Sequence, residues 1–134
     1  MKITSLEELK EIAKGEVIEL PGFNEKPFVV RAKRPSLLNL VSSGAIPNEL
    51  LTTAYSIFNG RTVTGKQEAV SMKETNDLLR IVAEKALIEP TLKQIEEAGL
   101  ELTDLQLLEL YNYSQQGVRA LQSFREKQKN IKNN

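Results

Sequence analysis

The chain contains no cysteine, no histidine and no tryptophan. Without cysteine there is no disulfide framework, no thiolate nucleophile and no Cys-type zinc site. Without histidine, the one side chain whose ordinary pKa lies near neutrality is missing. Acid–base chemistry at pH 7 would fall to a strongly displaced Glu, Asp, Lys or Tyr. Nearly all the acids, however, lie beside lysines at helix-surface spacing, where displacements are small. An excess of one charge is missing too: Lys+Arg and Asp+Glu are both 18 and the formal net charge is zero. A dedicated nucleic-acid binder usually carries a basic surplus. No run of about 18 apolar residues exists to span a membrane, and Met1 to Ala13 lacks the apolar stretch of a signal peptide. These absences lead to an expectation: a cytoplasmic protein, not an enzyme, with no cofactor, metal, nucleic acid or membrane partner, that works by binding other proteins.

What is present is an ordinary globular composition over 134 residues, 40% hydrophobic and 27% charged, the length of one domain. Ser5 stands three residues before Glu8, the form of a capping box. Leu6, Leu9, Ile12 and Ala13 follow at helical spacing, and Gly15 is a natural stop. Residues 5–14 therefore read as a short amphipathic helix. Glu16 to Leu20 and Phe28 to Ala32 are alternating, β-branched runs separated by a stretch dense in turn formers. They predict an antiparallel hairpin over 16–33, with Pro27 suited to an edge strand. A lone hairpin is marginal in water, so it must pack on helices or pair with another chain.

From residue 35 to 127 the pattern is helical. Leu37, Leu38, Leu40 and Val41 make a short helix that Gly44 stops. Pro47 opens another, with Leu50, Leu51, Ala54, Tyr55 and Phe58 on one side. Residues 60–70 read as a loop. A longer helix starts near Ser71, where Ser71 and Glu74 repeat the capping-box form, and Leu78, Leu79, Val82, Ala83, Ala86 and Leu87 are its stripe. Pro90 ends or kinks it. Thr91 to Ala98 makes one more short helix. Thr103 and Gln106 cap a Leu- and Tyr-rich helix reaching Gln116, and a stripe of Val118, Leu121 and Phe124 continues past Gly117. Residues 128–134 form a frayed polar tail. The fold expectation is one α+β, mainly α domain over 1–134, a helical body with a small N-terminal hairpin.

Three patterns bear on function. Gly60 and Gly65-Lys66 have the glycine spacing of a phosphate loop, but Gln67 stands where Ser or Thr is needed and no strand precedes. The helical pair at 36–43 and 47–58, with Arg31, Lys33 and Arg34 upstream, has the outline of a DNA-reading helix pair. Its second helix, however, carries Glu49 and no Arg or Lys. Residues 89–109 are acidic (Glu96, Glu97, Glu101, Asp104, Glu109), and 119–134 are basic (Arg119, Arg125, Lys127, Lys129, Lys132). These are solvated faces, or opposite patches that support head-to-tail self-association. The segment Leu105 to Tyr113 holds more large apolar residues than one core-facing stripe needs. Either that helix is central, or one face awaits a partner. The surface assigned to partner binding is Leu107, Leu110, Tyr111, Tyr113, Val118, Leu121 and Phe124.

The segment Arg34-Pro35-Ser36-Leu37-Leu38-Asn39-Leu40, followed by Ser43-Gly44-Ala45-Ile46-Pro47-Asn48, resembles the N-terminal half of tail assembly chaperones of long-tailed bacteriophages and prophages of Gram-positive hosts. Glu89-Pro90-Thr91, Leu102-Thr103-Asp104-Leu105-Gln106-Leu107-Leu108 and residues 116–125 are similar to that family's closing pattern. The resemblance spans about residues 16–126. It implies a non-enzymatic protein of the bacterial host's cytoplasm that coats the tape measure protein, and possibly meets tail-tube subunits, before the tube polymerises. It also implies absence from the mature virion. A longer product made by ribosomal slippage is a further implication, and the Lys- and Asn-rich end from Lys127 to Asn134 suits A-rich slippery codons. The alternatives are a small DNA-binding regulator using residues 31–58, and a virion structural protein such as a connector.

Overall fold

The computed structural model describes residues 1–58 and 68–116. The chain opens with α1 (Leu6–Ala13), β1 (Glu16–Leu20) and β2 (Phe28–Ala32). Next come α2 (Leu37–Ser42), a 3-10 turn at Asn48–Leu50 that runs into α3 (Leu51–Phe58), and α4 (Glu68–Ala86). The chain continues through β3 (Leu87–Glu89), α5 (Leu92–Glu97) and α6 (Asp104–Gln116). The result is the α+β, mainly helical architecture that the sequence predicts.

The hairpin forms as read, antiparallel with Ile18 opposite Val30 and Leu20 opposite Phe28. Alternation then divides its faces: Ile18, Leu20, Val30 and Ala32 are buried, while Val17 and Val29 point outward. Two sequence expectations change here. The stripe assigned to the long helix ends at Ala86, and Leu87–Glu89 becomes a third strand pairing antiparallel with β2. β2 is consequently the middle strand, not an edge. β3 pairs only with Arg31 and Ala32, so Pro27, at the other end of β2, meets no ladder position that requires its missing N–H. The extra strand also relieves the marginality of a bare hairpin.

Helix starts follow hydroxyl caps, which satisfy otherwise orphaned N–H groups. Ser5, Ser36 and Thr91 each accept from the backbone N–H three residues on. Thr103 and Gln106 complete a reciprocal box, with the Thr103 N–H donating to Gln106 Oε1 at 2.9 Å and the Gln106 N–H to Thr103 Oγ1 at 3.1 Å. α4 begins at Glu68, so Ser71 lies inside the helix and not at the start that its capping-box form suggests. Glu74 instead accepts from Thr53 Oγ1 at 2.6 Å, tying α3 to α4. Residues 68–70, expected in a loop, belong to α4, while the rest of that segment lies outside the described residues.

Two apolar clusters share α4 as their spine. Leu79, Ala83 and Ala86 face the sheet, α5 and α6, joined there by Leu92, Ile95, Leu107, Leu110 and Tyr113. Leu78 and Val82 face the other way, toward Leu37, Leu40, Ile46, Leu50 and Ala54. Tyr111 packs against both clusters. Each fully buried Leu or Val adds about 1.5–3 kcal/mol of apolar transfer, so these clusters, not the caps, dominate the stabilisation.

Candidate functional site

The C-terminal surface divides once placed in the fold. Leu107, Leu110 and Tyr113 are 5%, 0% and 1% exposed. They are core residues, and the partner-binding assignment for these three is corrected. The physical reason is that α6 packs on the sheet with one side and on α4 with another, so a wide apolar arc is consumed internally. Tyr111 is half-buried between the two clusters, and its pKa is raised by burial. Val118, Leu121 and Phe124 lie outside the described residues, as does the basic stretch 119–134. What α6 turns outward is Leu105 and Leu108.

Polar groups in α6 are tied down as well. Tyr113 donates its hydroxyl to Glu16 Oε1 at 2.7 Å and lies 3.4 Å from the Ala32 carbonyl oxygen. Burial raises its pKa first, and the bond to Glu16 and that residue's negative charge add to the rise, while Arg34 opposes it. Gln106 is fully buried and donates Nε2–H to the Pro21 carbonyl at 2.8 Å, which fastens the hairpin loop to the start of α6. A buried amide is tolerated because both of its ends are bonded. Glu109 is also buried, so it does not belong to the acidic face that the sequence suggests. Glu96, another member of that face, pairs with Arg80 at 2.6 Å.

That pair borders a cleft of about 560 Å³ between α4, α5 and α6, where Leu92, Leu102 and Leu107 form the floor and Glu101 and Asp104 the rim. Among the described residues no group of three or more acidic side chains is placed to hold a metal ion, and no helix is long and apolar enough to cross a membrane.

Among the described residues, two further stretches of apolar surface stand uncovered. The first is α1. Leu6, Leu9 and Ile12 are 61%, 51% and 67% exposed, Ile3 just ahead is more so, and no residue of the helix is buried. The sequence spacing that marks a core-facing stripe is there, but the core is not. A helix of eight residues is well short of the roughly 12–15 at which isolated helices become even marginal in water. The Ser5 cap is worth about 1 kcal/mol and the exposed Glu11–Lys14 pair about 0.2–0.5 kcal/mol. Such terms are small beside the cost of nucleating so short a helix.

The second is a groove of about 450 Å³ between α2 and α3, lined by Leu37, Leu38, Val41, Leu51, Thr52, Ala54 and Tyr55. Its lining holds no charged residue, and Leu38 and Tyr55 stand 61% and 64% exposed. Leu51 and Tyr55, read from sequence as one side with Leu50 and Ala54, instead form the outer wall above those two buried residues. The signal for the groove is present in the sequence as a surplus: Leu37, Leu38, Leu40 and Val41 on α2 exceed what one narrow face buries. The same apolar wall stands where a DNA-reading helix would carry cations.

Gly15 fixes how α1 leaves the body. Its φ is +83°, a region that side chains disfavour, and an added Cβ would stand 2.6 Å from the Ala32 carbonyl oxygen and 2.5 Å from Ile88 Cδ1. Arg31 Nη1 donates to the Gly15 carbonyl at 3.5 Å. The root of the helix is thus seated on the sheet while its ridge is not.

Compared with family models, curated protein sequences and solved structures, the chain matches none.

Proposed function

We propose that this protein is a non-enzymatic chaperone of phage tail assembly, holding the tape measure protein, and possibly tail-tube subunits, during tail morphogenesis in the bacterial host. The observation that carries the reading is the uncovered ridge of α1, seated on a rigid body by Gly15. A tape measure is a long helical client whose apolar stripes aggregate unless covered. A short helix offering Leu6, Leu9 and Ile12 lays one ridge along such a stripe. Three aliphatic contacts make a modest interface, and modest contacts permit release when tube subunits arrive. The family resemblance over residues 16–126 supports the same reading independently of α1.

Co-expression with the tape measure protein tests it. The chain is expected to raise the soluble fraction of the client, and Leu9→Asp, a change at an exposed position, is expected to abolish that effect without unfolding the protein. A client that is equally soluble with the variant, or a chain that instead retards duplex DNA with a steep loss on adding salt, overturns the proposal.

A further inference from the structure

We draw no further inference here: the strongest candidate, the cleft between α4, α5 and α6 with its apolar floor and its acidic rim at Glu101 and Asp104, is a cluster of acidic side chains beside which no second observation points to a ligand.

Discussion

Truncating Leu110 and Leu9 to alanine separates core from interface in one experiment. Both are leucines on helices and both belong to stripes that the sequence alone makes equivalent. Leu110 is 0% exposed in the cluster built by the sheet, α4 and α6, whereas Leu9 is 51% exposed on a helix with no buried residue. Leu110→Ala removes three buried carbons from a site bounded by rigid elements, and such changes cost about 2–5 kcal/mol. Leu9→Ala loses little burial and gains slightly in helix propensity, so its effect on unfolding is expected within about 0.5 kcal/mol of zero. A domain of this size holds about 5–15 kcal/mol in total, so both variants remain folded and measurable. Urea titration followed by far-ultraviolet circular dichroism reports both, with the midpoint shifting and the slope unchanged. A Leu110→Ala cost under about 1 kcal/mol, or a Leu9→Ala cost above about 2 kcal/mol in dilute protein, refutes this division of the apolar surface.

Gly15→Ala is expected to destabilise by about 2–4 kcal/mol, from the left-handed backbone and from crowding against the Ala32 carbonyl and Ile88, read as a lower urea midpoint. Tyr113→Phe deletes the hydroxyl that Glu16 accepts, at an expected cost of about 1 kcal/mol. The same substitution changes the alkaline limb of stability. The folded-state pKa of Tyr113 is raised above its ordinary 10.0, so its contribution is full below about pH 10 and is lost as pH climbs from there toward the folded-state value. In that window the unfolded tyrosine ionises while the folded one does not, and stability falls by up to about 1.4 kcal/mol per pH unit. Urea midpoints at pH 8, 10 and 11 are expected to show this fall in the wild type and a shallower one in Tyr113→Phe.

Local signals carried the elements whose causes are local. The hairpin follows from alternation and turn residues, and the Thr103–Gln106 cap from two side chains that bond each other's backbone. β3 was illegible because Leu87-Ile88-Glu89 continues the apolar stripe of α4; its strand character comes from the vacant flank of β2, more than fifty residues earlier in the chain. Ser71 has the form of a cap, yet α4 starts at Glu68, because a form does not show whether a preceding turn already exists. The surplus of apolar residues in α6 was legible, but its cause was not. Periodicity counts apolar positions without showing how many neighbours surround a helix, and α6 has the sheet on one side and α4 on the other. α1 is the converse: its stripe is the plainest in the sequence, and only the fold shows that none of its residues is buried among the described residues.

Amide hydrogen exchange over residues 6–13 tests the central claim most directly, because protection there reports whether the α1 ridge is covered. It is measured with and without the tape measure client. The account predicts little protection in the free chain and a selective rise across α1 when client binds. Client bound with α1 still unprotected contradicts it.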